Sequence, residues 1–171
     1  MNKVTIKQNF INAFGEEQWN IEEAISKLRE ASLLLSDYLE VSELPIVCEP
    51  IKEDSRIYFK EEFIILRKDI ALNYLEGLKA ITHEYRHFYQ YRCIVEKRYE
   101  EELLDFYVED FTKLTEKTNP LEGTDDYYSS VIELDAFAFT KYFLKNVLNI
   151  ETHYPNEEYD KMLDIFIKSF Y

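Results

Sequence analysis

A helix-rich α+β fold is what this sequence predicts, with a short two- or three-stranded sheet packed on a long central helix. Three observations carry that expectation. The chain has only three Gly and four Pro in 171 residues, with 46% hydrophobic and 16% aromatic residues, a composition that builds a packed core. Three β-branched or aromatic runs, Pro45 to Ile51, Ser55 to Phe59 and Phe63 to Arg67, are punctuated by Pro50, Asp54 and Lys60-Glu61-Glu62. Around them lie longer stretches in which apolar residues recur every three to four positions.

The length suits a single domain over residues 1–171, with an N-terminal helical segment (1–42), a core (45–148) and a C-terminal helix (156–171). Val4 to Phe14 reads as a short helix ending at Gly15. Asn20 and Glu23 form a capping box ahead of a helix running to Leu39, with Ile21, Ala24, Ile25, Leu28, Leu35 and Tyr38 inward. Among the strands, Phe63-Ile64-Ile65-Leu66 is the most apolar and is expected to be the most buried. Leu72 to about Arg98 reads as one helix, and Glu100 to Glu116 as another with Leu104, Val108, Phe111 and Leu114 inward. Thr118 to Asp126 is a loop by its Pro, Gly and Asx content, either overhanging a cleft or serving only as a connection. Tyr127 to Asn149 is helical, and Asn156 caps a last helix that buries Tyr159, Met162, Leu163, Phe166 and Phe170.

The charge is strongly acidic, with 34 Asp and Glu against 20 Lys and Arg and a net of −14. Such a surface repels phosphate backbones, so nucleic acid is not an expected partner; a basic protein or peptide is the partner this charge favours. The opening Met1-Asn2-Lys3-Val4-Thr5-Ile6-Lys7 carries no apolar run of signal-peptide type, and no stretch reaches membrane length. A cytoplasmic protein without membrane contact is the expectation. Cys48 and Cys93 form no C-x-x-C and read as reduced thiols.

Ile81 to Gln90 contains His83-Glu84-x-x-His87, the spacing of a zinc signature, and uses two of the three histidines in the chain. At about 100° per residue the two imidazoles fall about 40° apart on one helix face, one turn apart, so both reach one ion. Glu84 projects about 60° beyond His87, an offset that suits a carboxylate acting on the ion's water rather than on the ion. Gly77 and Ala80 lie beside the histidines, where small residues would leave room for a cleft. Close approach of another element is a second reason for Gly77, and simple tolerance a third.

A catalytic zinc needs a third protein ligand. On the helix from Val131 to Leu148 the apolar residues form an arc about 180° wide, and Glu133 lies inside it between Thr140 and Leu144. A buried carboxylate loses several kcal/mol of hydration unless something compensates it. Coordination by the ion is one solution; a pair with Arg86 or Lys79, or protonation, is another. Asp135 falls outside the arc, on the side of Lys141 and Lys145, where a supporting or surface role suits it better than ligation.

His83-Glu84-x-x-His87 followed by a helix bearing Glu133-Leu134-Asp135-Ala136 resembles the gluzincin-type zinc metallopeptidases, particularly the small ImmA/IrrE-like and minigluzincin-like domains. The resemblance spans about Ser55 to Leu148 in the order of elements. It implies a small zincin-like domain with one zinc held by His83, His87 and Glu133. It also implies peptide hydrolysis through a metal-activated water, with Glu84 as general base. The strand near Phe63 to Arg67 would then bind extended substrate by β-augmentation. Arg86 and Phe137 depart from the family pattern. Phe137 stands where relatives often carry Asp or Asn, so support for a ligand histidine must come from elsewhere. His153 and the tyrosines are the candidates for stabilising the oxyanion. Two other readings stay open: a non-catalytic acidic interaction protein, such as an inhibitor or DNA mimic, and a zincin-like fold with a purely structural metal.

Overall fold

In the computed structural model, residues 20–51, 55–116, 130–154 and 156–171 are described, without the side chains of 114–116. The expected helix at Val4 to Phe14 and the loop at Thr118 to Asp126 lie outside the described residues. The remainder is a helix-rich α+β arrangement built on one three-stranded mixed sheet. No helix among the described residues is long and apolar enough to cross a membrane.

Helix α1 spans Ile21–Leu39 and starts where the sequence places it. The Asn20 side chain accepts from the Glu22 and Glu23 amides while the Glu23 carboxylate accepts from the Asn20 amide, which satisfies otherwise orphaned donors. Its buried face is Ala24, Leu28, Ala31, Leu34, Leu35 and Leu39. Tyr38, expected inward, is 44% exposed; it covers the rim of the core edge-on to Phe143.

Strands β1 (Ile46–Glu49), β2 (Arg56–Tyr58) and β3 (Phe63–Arg67) follow in the order β1-β3-β2. Strand β3 is parallel to β1, with Ile46 opposite Ile64, and antiparallel to β2, with Ile57 opposite Ile64. It is central, and its Ile64 and Leu66 are fully buried, as its apolar run predicts. That position also overturns one expectation. Both edges of β3 are already paired, so it cannot accept a further strand; the cleft-side edge of the sheet is β2.

The long helix expected from Leu72 is present from Tyr74, and a short helix that was not expected precedes it. Helix α2 (Lys68–Leu72) stops at Asn73, whose extended backbone and side chain cap helix α3 (Tyr74–Glu96) by accepting from the Glu76 amide. Gly77 does not border the cleft. A Cβ there would stand 3.2 Å from Leu28 Cδ1 and 3.3 Å from the Ile70 carbonyl oxygen, so its bareness lets α1 and α2 close onto α3. Tyr85 fastens the same junction, accepting from the Leu44 amide at 2.7 Å and lying 2.5 Å from Ser32 Oγ.

Helices α4 (Leu104–Glu116), α5 (Val131–Asn146) and α6 (Glu157–Phe170) complete the chain. In α4 the buried anchor is Tyr107, while Val108, expected inward, is exposed. Asn156 caps α6 as predicted, yet only Leu163 and Phe166 of its expected set are fully buried; Met162 and Phe170 are exposed. Two apolar clusters result. One joins α1, the sheet, α2, α3 and α5, and the other joins the end of α3 with α4, α5 and α6. The contact between α3 and α5 runs through both.

Candidate metal centre

His83 and His87 leave α3 one turn apart and meet α5 at Glu133, which is 5% exposed. The two Nε2 atoms are 2.9 Å apart. Glu133 straddles them, with Oε2 3.2 Å from His83 Nε2 and Oε1 3.3 Å from His87 Nε2. Ligand atoms bound to zinc at about 2.0–2.2 Å in a tetrahedron stand roughly 3.3 Å from one another, so this spacing fits one small cation. His83, His87 and Glu133 are the single group among the described residues whose ligand atoms converge in this way, all within 4.8 Å. Among the described residues Glu133 Oε2 is buried and makes no hydrogen bond, although it lies 3.2 Å from His83 Nε2.

The ring nitrogens and carboxylate are electrostatically coupled. Burial and the neighbouring His87 push His83 below its ordinary pKa. Burial opposes charge on His87 too, but the Glu133 carboxylate outweighs it and raises His87 to about 9. Burial likewise disfavours charge on Glu133, and His87 reverses that to hold it far below the usual carboxylate range. Without an ion the group therefore shares one positive charge as an imidazolium on His87, and an ion would take that place.

The alternative partners proposed for Glu133 are committed elsewhere. Lys79 pairs with Glu76 at 2.8 Å, and Arg86 with Asp135. Asp135, for which a supporting or surface role was expected, is 0% exposed, because α5 is enclosed by α3 on one side and α4 and α6 on the others. Its oxygens accept from Arg86, Gln90, Tyr107 and Tyr171. Burial alone would raise its pKa; the Arg86 guanidinium wins and holds it below the usual range. Gln90, which the sequence reading passed over as a ligand-supporting residue, links this hub to the centre through His87 Nδ1 at 2.9 Å. Its one sequence signal is position: three residues after His87, on the same helix face.

The centre opens on a cleft of about 200 Å³, lined by His83, Glu84, His87 and Glu133 on one side and by Ser55, Arg56, Ile57 and Phe59 on the other. Phe59 and Phe111 meet edge-on at 5.5 Å along its wall. Glu84 is buried at this surface and is not part of the three-residue cluster, consistent with the offset read from its helical position. His153 is not brought here. It is 79% exposed at its side chain and faces Asp160 at 3.5 Å, and among the described residues no tyrosine lines the cleft. Cys48 and Cys93 are free thiols.

Comparisons with family models, curated proteins and solved structures find no significant match to this chain.

Proposed function

We propose that the chain is a zinc-dependent metallopeptidase of gluzincin type, with His83, His87 and Glu133 as ligands and Glu84 as general base. One observation carries the reading: two imidazole Nε2 atoms and both oxygens of a buried carboxylate converge at the floor of an open cleft, with a second glutamate on the same wall. Openness matters because structural zinc sites are closed, whereas catalytic ones keep a face for substrate. His83, His87 and Glu133 would hold the zinc, which would supply Lewis acidity and a water more readily deprotonated than in bulk.

The chain's own residues do the rest. Glu84 takes a proton from the water and returns it to the departing amine. The edge strand β2 offers main-chain groups to an extended peptide, the role the sequence reading gave to β3. Arg56 on that strand faces the substrate path and favours a carboxylate on the bound peptide, while the acidic surroundings draw basic segments towards the molecule. The substrate is a protein or peptide in the cytoplasm, where free thiols persist.

Metal analysis of purified protein, paired with cleavage of a peptide library, tests this. One zinc per chain with metal-dependent hydrolysis is expected. A chain that takes up no zinc points instead to an acidic binding protein, and one that holds zinc but cleaves nothing points to a structural metal.

A further inference from the structure

Gln90 is fully buried three residues after His87, and its surroundings decide which end of its amide is which. Nε2 lies 2.9 Å from the Ile132 carbonyl oxygen and 2.7 Å from Asp135 Oδ2. A carbonyl only accepts, and so does an ionised carboxylate, so the atom between them must be the NH₂ group. Asp135 is in the carboxylate form because Arg86 donates to both of its oxygens. The other end of the amide, Oε1, can only accept, and it sits against His87 Nδ1. His87 therefore carries hydrogen on Nδ1 in every protonation state open to it. The nitrogen left to bear a lone pair is Nε2, the atom that faces His83 and Glu133.

His83 has no such support. Its Nδ1 is buried without a hydrogen-bond partner among the described residues, and its ring rests on Phe137, 4.4 Å between centroids. The hydrogen-bonded support of the centre thus comes from one side only.

We propose that Gln90 is a positioning residue: anchored by Asp135 and the Ile132 carbonyl, it commits His87 to metal ligation through Nε2 and supplies the hydrogen-bonded support of the centre. This rests on reading His83, His87 and Glu133 as a metal site. Outer partners of ligand histidines commonly change metal affinity by roughly 10- to 100-fold when removed. Gln90→Met keeps the shape of the side chain and deletes both amide functions.

The experiment measures zinc affinity of wild type and Gln90→Met by chelator competition, with thermal unfolding of the metal-free proteins and the absorption spectrum of the cobalt forms alongside. The expected result is a folded variant that binds zinc roughly 10- to 100-fold more weakly, with an altered cobalt spectrum. A merely structural glutamine would lower the melting temperature without those two changes. A folded variant that binds zinc as tightly as wild type overturns the proposal and leaves the metal centre standing. Zinc-free wild type overturns both. If Gln90→Met does not fold, nitrogen-15 NMR of the zinc-loaded wild type decides: an exchange-protected Nδ1–H on His87 supports the proposal, and an Nε2–H on His87 overturns it.

Discussion

Arg86 and Asp135, 49 positions apart, form a two-pronged ion pair beside the proposed metal ligands, with Nε to Oδ2 at 2.8 Å and Nη2 to Oδ1 at 3.1 Å. The guanidinium also lies over the rings of Tyr89, Phe139 and Tyr171. Removing one partner of a buried pair leaves the other charge uncompensated, at a cost of about 3–5 kcal/mol. Asp135→Ala should therefore lower the metal-free melting temperature by roughly 6–20 °C in a chain of this size. Glu133→Ala should abolish zinc binding, and because it leaves the His87 imidazolium uncompensated it should also lower the metal-free melting temperature near neutral pH, an effect that fades as pH approaches 9. Calorimetry of the metal-free proteins beside metal analysis separates the two roles.

Glu84→Gln keeps the shape of the side chain and removes its basicity. Zinc stoichiometry should stay at the wild-type value, and peptide hydrolysis should fall by about 10²- to 10⁴-fold, the range of general-base contributions. Equal turnover by the variant and wild type would exclude Glu84 from the chemistry.

Zinc requires His87 without its Nε2 proton, and Glu133 raises the pKa of His87 to about 9 against the opposing effect of burial. Below that value each ion must displace a proton, so apparent zinc affinity should climb about tenfold per pH unit from 7 towards 9 and level off above. The metal-free protein should show the mirror image in stability. A folded pKa above the ordinary 6.5 gives a contribution fully present below 6.5 and lost as pH rises through about 9. Melting curves with and without zinc across this window check both signs, and a flat affinity profile would remove the proton from the exchange.

Gly77 sits in the interior of α3, where alanine would ordinarily favour the helix by about 1 kcal/mol. Here the space is taken by Leu28 Cδ1 and the Ile70 carbonyl oxygen. Gly77→Val should destabilise the fold by about 1–3 kcal/mol through overpacking. Zinc binding by the folded fraction should be retained, since the strain falls at the α1–α2 side of the helix. Urea unfolding with a zinc titration measures both.

Arg56 is the one Arg or Lys lining the cleft among the described residues. Arg56→Glu should reduce kcat/KM several-fold for peptides with Asp or Glu near the scissile bond and raise it for those with Lys or Arg, since an exposed ion pair contributes at most about 1 kcal/mol. Unchanged preference in matched peptide pairs would show that the side chain does not meet the substrate.

Much of this was legible from residue order. The capping box at Asn20, the three strands and the inward Glu133 each follow from local pattern, because each depends on one element and one buried face. The burial of Asp135 was missed for the converse reason. A helical wheel assumes a single buried face, whereas α5 is enclosed by α3, α4 and α6, and Lys141 on its far side is buried against Asp160 and Asp164. The start of α3, two residues beyond the expected one, did have a sequence signal, Asn73 followed three residues later by Glu76. The role of Gln90 had almost none, since an amide in a helix becomes informative only when its partners on α5 are known.

The unequal backing of the two imidazoles has a further consequence. An ion between them would be gripped by one fixed jaw and one looser one: His87 is braced through Gln90 to a salt-bridged hub, while among the described residues the outer support of His83 is the tilted ring of Phe137. Release would begin with a turn of the His83 ring towards the open side. Occupancy would then follow the supply of free metal outside the protein instead of being set once, when the chain folds.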